Sequence, residues 1–280
     1  MPDRDHYSKD ANMENKISKP KIALLCDYGL DDAAATAFIL ERRYMFDKIS
    51  ILPIGGNMPL SVSMHNAKRV ISNFGGPLEN VILVDTSPVA QPEENLVEIH
   101  GKDGIGDIFS PVYEDIVSTV KYEEFIESLT DEIIVSLGPC TVTKDILERS
   151  PDHELIIMGG NISEEPNYGD YEFNHGMDPD AFSYCTRYKH TLLTLDSCRN
   201  PLCDFSKIEM PGNSLLEKFA RKAVVLSQRR EEESCYIYDL IAVQYLFFPE
   251  RFKKEEKTDS FGNKLSTAFY KASRPIINFQ

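Results

Sequence analysis

No apolar run in this 280-residue chain approaches the roughly eighteen residues that cross a bilayer, and the polar, charged N-terminus has no leader-like apolar core. A spanning or secreted protein is therefore not expected. The expectation is a cytoplasmic one, with residues 1–19 a disordered tail and a single domain over 20–280. Thiol chemistry is equally thin: Cys26, Cys140, Cys185, Cys198, Cys203 and Cys235 form no CxxC pair and no zinc-ligand spacing, so reduced thiols are expected. Basic residues are few, 30 Lys and Arg against 45 Asp and Glu, and the net charge of -15 repels nucleic acids and anionic membranes at long range. Neither is expected as a partner. A neutral small molecule is unaffected by that argument. Internal repeats, low-complexity segments and a Pro/Gly-rich linker are absent too.

What the chain does contain is an alternation of apolar β-type runs with helical patterns. Strands are predicted at 21–27, 49–54, 80–84, 132–136, 154–158 and 191–196, and helices at 31–43, 59–73, 122–129, 141–149, 178–187, 213–229 and 238–247. Such alternation implies βαβ units: an α/β fold, Rossmann-like, with a mostly parallel sheet and helices on both faces. Ligands of such sheets bind beyond the carboxyl ends of the strands. The polar segment 250–263 reads as a mobile connection, and the cluster Arg229 to Glu233 as a solvated helix end.

The densest chemistry lies at the first predicted strand end, in Cys26-Asp27-Tyr28-Gly29-Leu30-Asp31-Asp32. Two carboxylates in a first helical turn suit the positive end of the macrodipole, which is sufficient reason for Asp31 and Asp32. A third, at the strand end and separated from them by a turn-permitting glycine, is more than capping needs and raises the alternative of a hard-cation site. Gly55-Gly56-Asn57, Leu137-Gly138-Pro139-Cys140-Thr141 and Met158-Gly159-Gly160-Asn161 close three further strands, where a turn and a ligand contact are both open readings. His100-Gly101-Lys102-Asp103-Gly104-Ile105-Gly106 is glycine-rich but lacks the GK[ST] ending of a phosphate loop. Glu172-Phe173-Asn174 precedes Asp178-Pro179, a helix start with Asp178 as N-cap and Pro179 at N1. Asp239 stands at the start of an apolar helix, where an acid is ordinarily a cap.

Taken in order, these motifs resemble the inosine-uridine-preferring nucleoside hydrolases, whose N-terminal signature reads D-x-D-P-G-x-D-D. The likeness runs from about residue 20 to 248, through CDYGLDD, GGN, HGKDGIG, LGPCT, IIMGGN, EFN with DPDA, and YDLIAV. It implies Ca2+ held by Asp27, Asp32, Asp239 and the carbonyl of Leu137, with Asp27 as general base. An oxygen-only, carboxylate-rich set agrees with Ca2+ or Mg2+ and disfavours zinc. The resemblance further implies that Asp31, Asn57, Glu172 and Asn174 bind ribose hydroxyls, that Met158 packs on the sugar, and that His100 approaches the base. The implied reaction is hydrolysis of a nucleoside's N-ribosidic bond through an oxocarbenium-like transition state, by a homodimer or homotetramer.

Four positions depart from the pattern. Leu25 replaces the first Asp of the signature, removing an acidic neighbour of the metal carboxylates. Tyr28 replaces its Pro. Tyr238 replaces a His regarded as the acid that assists the leaving group, so it is a candidate catalytic residue of altered chemistry. An expected Asn falls on Pro166, with Asn167 able to serve one position later. The base-facing set is thus rewritten, which points to altered substrate choice. The alternative is a nucleoside- or ribose-binding protein that keeps the Ca2+ cradle without turnover. A phosphoacceptor role for Asp27 is disfavoured, because no D-x-D-x-T/V arrangement surrounds it.

Overall fold

The run Lys21–Cys26 is apolar without alternation, the mark of a strand covered on both faces, and it forms β1 at the middle of a nine-stranded sheet. The computed structural model describes residues 18–109 and 114–279; residues 1–17 of the expected tail lie outside the described residues. The other strands are β2 (Lys48–Pro53), β3 (Val81–Asp85), β4 (Thr119–Lys121), β5 (Ile133–Ser136), β6 (Leu155–Met158), β7 (His190–Leu193), β8 (Phe252–Thr258) and β9 (Lys264–Tyr270). Their order is β4-β3-β2-β1-β5-β6-β7-β9-β8, parallel throughout except for the β8–β9 pair. This is the expected α/β architecture, in one domain.

Among the described residues, ten α-helices accompany the sheet: α1 (Leu30–Glu41), α2 (Leu60–Phe74), α3 (Val97–His100), α4 (Tyr122–Ser128), α5 (Thr141–Arg149), α6 (Phe173–Met177), α7 (Pro179–Cys185), α8 (Leu195–Cys198), α9 (Leu215–Arg229) and α10 (Tyr238–Phe247). Alternate residues of β1 feed two cores. Ile22, Leu24 and Cys26 pack with Phe38 of α1, Val70 of α2, Phe219 of α9 and Ile241 of α10, whereas Ala23 and Leu25 pack with Phe125 of α4, Ile146 of α5 and Phe182 of α7. Helices on both faces follow from this double burial. Asp178 caps α7 by accepting from Ala181 N at 3.0 Å with Pro179 at N1, and all six cysteines are buried and free, as the sequence implies. No helix among the described residues is long and apolar enough to cross a membrane.

The segment 250–263 is not a mobile connection. Half of it is β8, an edge strand paired along its whole length with β9. Its sequence, Phe252-Lys253-Lys254-Glu255-Glu256-Lys257-Thr258, carries charge on both faces because its outer edge meets solvent, and charged edges deter pairing with other chains. The apolar alternation that identifies a strand lies in its buried partner β9.

At β1 the strand order reverses: β2 leads to one edge of the sheet and β5 to the other. The loops leaving β1, β2, β5 and β6 therefore border one crevice at the carboxyl ends, where open α/β sheets bind ligands.

Candidate active site

Asp27 leaves β1 directly beneath that crevice, fully buried. Its Oδ2 accepts from Asn57 N at 2.7 Å and its Oδ1 from Asn57 Nδ2 at 2.8 Å. Room for the carboxylate comes from glycines on two other strands. A Cβ on Gly56 would collide with Asp27 Oδ2, and one on Gly138 would stand 3.0 Å from its Cγ. The glycines of the GGN and LGP motifs thus admit an aspartate side chain. Burial, with the charge of Asp31 adding to it and hydrogen bonds opposing it, raises the Asp27 pKa to about 7.

Tyr28 carries the chain over Asp27 with φ 46, a left-handed conformation that a proline ring fixed near -65° cannot take. The departure from the signature proline is therefore a change of backbone path. Leu25, two residues before Asp27 on the same face of β1, packs in the core with Leu52, Ile54, Cys140 and Val142, and Asp27 takes its hydrogen bonds from Asn57.

Asp31 and Asp32 open α1, and Asp32 Oδ2 accepts from Gly29 N at 2.9 Å. Asp239 opens α10 opposite them, so that Asp31, Asp32 and Asp239 each offer an oxygen within 4.8 Å of the others. Asp27 adjoins this cluster through Asp32. The grouping differs from the ligand set implied by the resemblance in one member, Asp31 standing where Asp27 was expected; Asp32 and Asp239 are common to both. Burial, and then neighbouring carboxylates, push Asp32 and Asp239 well above the usual carboxylate range. Asp31 Oδ1, Asp32 Oδ1 and Asn174 Oδ1 are buried without a donor among the described residues. Unpaired acceptors among crowded carboxylates fit a hard divalent cation.

Across the crevice, Glu172 caps α6. Its carboxylate accepts from Gly160 N at 2.8 Å and from Asn174 N and His175 N at 3.1 Å, yet burial still lifts its pKa to about 7. Asn174 Nδ2 donates to the carbonyls of Leu137 (2.9 Å) and Met158 (3.1 Å), tying the ends of β5 and β6 together. Asn167 Oδ1 accepts from Phe173 N at 2.9 Å, fixing the loop ahead of α6. His100 Nδ1 accepts from Leu30 N at 3.1 Å, and burial lowers the imidazole's pKa. It is held neutral, with its proton on Nε2. Its loop is anchored rather than loose: Arg69 pairs with Asp103 at 2.8 Å, and Asn66 Nδ2 donates to Asp103 O at 2.7 Å.

These residues enclose a cavity of about 560 Å3. Asp31, Asn57, His100, Leu137, Met158, Asn167, Glu172, Asn174, Tyr238 and Asp239 all line it, so the structure assembles nearly every residue singled out in the sequence; Asp27 and Asp32 lie just beneath. The sequence reading missed Arg199. This residue follows α8, lines the cavity, donates through Nε to the Tyr238 hydroxyl at 3.4 Å, and pairs through Nη1 with Glu164 at 2.9 Å. Burial first, then the guanidinium in opposition, sets the Tyr238 pKa at about 12. Arg199 carries no motif, but it stands just past a strand's carboxyl end, a position that alone could have flagged it.

The fold and the cavity define an α/β protein with a carboxylate-rich, oxygen-donor pocket at the topological switch point. The chain belongs to the inosine-uridine preferring nucleoside hydrolase family, whose model matches residues 22–264. It is similar to the pyrimidine-specific ribonucleoside hydrolase RihB of Escherichia coli (strain SE11) and of Shigella sonnei (strain Ss046). Each is 25% identical over 262 residues, covering 86% of this chain and 82% of the relative. Among solved structures, an inosine-guanosine nucleoside hydrolase superposes with a TM-score of 0.68 at 19% identity, covering 90% of this chain and 87% of the other. The purine-preferring ribonucleoside hydrolase of Gardnerella vaginalis gives 0.68 at 19%, with 91% of each chain covered.

Proposed function

We propose that the protein cleaves the N-ribosidic bond of ribonucleosides, with Ca2+ as its metal and pyrimidine ribonucleosides as its preferred substrates. The observation that carries this reading is the juxtaposition of Asp31, Asp32 and Asp239 within 4.8 Å, beside Asp27 and across from Glu172 and Asn174. Asp32 and Asp239 would hold the ion, with Asp27 and the Leu137 carbonyl at its side. Bound there, the ion supplies Lewis acidity toward an oxygen nucleophile and offsets the clustered negative charge.

Asp27 takes the proton of the attacking water: both its carboxylate oxygens are fixed by Asn57, which orients it as a general base. Asp31, Glu172 and Asn174 orient the ribose, and their oxygens face the positive charge that develops on the sugar. As the bond from C1′ to the base breaks, the electron pair passes to the base. Arg199, paired with Glu164 and bonded to Tyr238, offers a permanent positive charge to that departing group. A pyrimidine places a carbonyl oxygen beside its glycosidic nitrogen and spreads the charge onto it, where a guanidinium can bond. A purine has no such oxygen there. The RihB proteins, described as pyrimidine-specific, agree with this preference.

The test is a panel of uridine, cytidine, inosine and adenosine incubated with protein and Ca2+, with free ribose measured. Uridine or cytidine is expected to be cleaved fastest. Tight nucleoside binding without ribose release would instead mark a binding protein.

A further inference from the structure

Several buried side-chain atoms have no hydrogen-bond partner among the described residues. Three of them, all oxygens, lie in the active site as described. Two others are nitrogens, Gln244 Nε2 and Arg251 Nε, and both of these residues line a second cavity of about 490 Å3. Oxygens lacking donors call for a cation, and N–H groups lacking acceptors call for the opposite partner.

The second cavity is formed by Phe38 and Arg42 of α1, Gln244 of α10, Phe248 and Arg251 beyond it, Lys207 to Glu209, and the C-terminal segment from Arg274 to Asn278. Gln244 is only 1% exposed. Arg251 lies over the Phe248 ring at 3.8 Å, its Nε 3.9 Å from the exposed Glu250 carboxylate and so beyond hydrogen-bond reach. Arg42, over the Phe38 ring at 3.6 Å, pairs with Glu41, and Lys207 pairs with Asp204. Both are accounted for locally, Arg42 also by its place at the C-terminal end of α1. Arg274 enters no ion pair among the described residues.

We propose that this cavity is a second binding site, for a small oxyanion carried by a phosphate or carboxylate group, with Gln244, Arg251 and Arg274 as its donors. In a chain of net charge -15, three donor-bearing residues lining one hollow, with Glu209 as the one acid in that lining, form a local exception to the repulsion of anions. The volume is that of a metabolite-sized ligand. The site shares α1 and α10 with the active site. Asp31, Asp32 and Asp239 lie at the N-terminal ends of these helices, whereas Arg42 and Gln244 lie further along them.

Calorimetric titration of the full-length protein with inorganic phosphate and, separately, with succinate tests the proposal and distinguishes the two sources of oxyanion. Saturable one-site binding of at least one is expected, weakened at least about tenfold in both Arg274→Glu and Gln244→Met, in keeping with the loss of a charge-assisted or buried hydrogen bond. Arg274 is exposed, so its variant keeps the fold and separates lost binding from lost structure. The proposal is overturned if wild type binds neither anion saturably, or if Arg274→Glu binds both as tightly as wild type does.

Discussion

Arg199 Nε donates to the Tyr238 hydroxyl at 3.4 Å while its Nη1 pairs with Glu164, so the phenol that stands in place of an imidazole is backed by a guanidinium. A phenol with a pKa of about 12 is a far weaker acid than imidazolium. In the proposed mechanism, the fixed positive charge next to it serves in place of a proton donor.

This relationship predicts a dependence on the leaving group. Arg199→Ala should lower kcat on uridine about 100-fold, the scale of losing one preorganised charged donor. On p-nitrophenyl riboside, whose nitrophenolate leaves unaided, the same variant should stay close to wild type. Equal losses on both substrates would assign Arg199 a structural role only. Tyr238→Phe compared with Tyr238→Ala separates hydroxyl from ring: loss in both indicates the hydroxyl, loss in Ala alone indicates stacking.

Metal binding should rest on Asp32 and Asp239. Asp32→Asn and Asp239→Asn are each expected to weaken Ca2+ binding at least about tenfold, because each removes a charged ligand from a hard-cation site. Calorimetry reads this directly, and unchanged affinity in both variants would remove the site from this cluster. In the wild type, Ca2+ should raise the unfolding midpoint and a chelator should reverse the gain, since the ion binds only the folded chain.

Gly56→Ala tests the packing of the base. Its Cβ would meet Asp27 Cβ at 2.8 Å and Pro139 Cδ at 2.7 Å as well as the carboxylate itself. The overpacking should cost about 1–3 kcal/mol of stability and displace Asp27, so ribose release should fall more steeply than the unfolding midpoint. Full activity in Gly56→Ala would mean that Asp27 need not occupy this position.

His175 gives a pH signature. It stacks on Phe182 at 4.0 Å, and burial, opposed by Asp259, lowers its pKa from 6.5 to about 4. Between those values the unfolded chain binds a proton that the folded chain does not, so this contribution is present above pH 6.5 and is lost as pH falls toward 4. His175→Phe keeps the stacking without the titration. Its unfolding midpoint should therefore gain on wild type as pH falls through this window, and a constant difference between the two proteins would contradict the assignment.

Much of this molecule was legible in the sequence because its parallel strands are buried on both faces and read as unbroken apolar runs. Ile22 to Leu25 and Leu155 to Met158 are of this kind. The edge strand β8 was not, since Lys253, Lys254, Glu255 and Glu256 read as a loop until β9 is laid beside them. The helices α3, α6 and α8, at four, five and four residues, are too short to show a period. Gly56 and Gly138 were legible as turn or ligand-contact positions at strand ends, but what fills the space they leave, the Asp27 carboxylate, is a property of the folded crevice. Arg199 is a lone arginine in a polar stretch, and only the return of α10 past β6 and α8 brings Tyr238 to it.

In the proposed function, Asp27, set beside the acidic cluster, serves as the base in hydrolysis of an N-ribosidic bond. Ribose release from uridine by wild type and by Asp27→Asn, each with Ca2+ and with chelator, tests it most directly. The account predicts steady release by wild type with Ca2+, its loss on chelation, and a rate at least about 100-fold lower in Asp27→Asn, the scale of general-base assistance. Release by Asp27→Asn at a rate near that of wild type would contradict it.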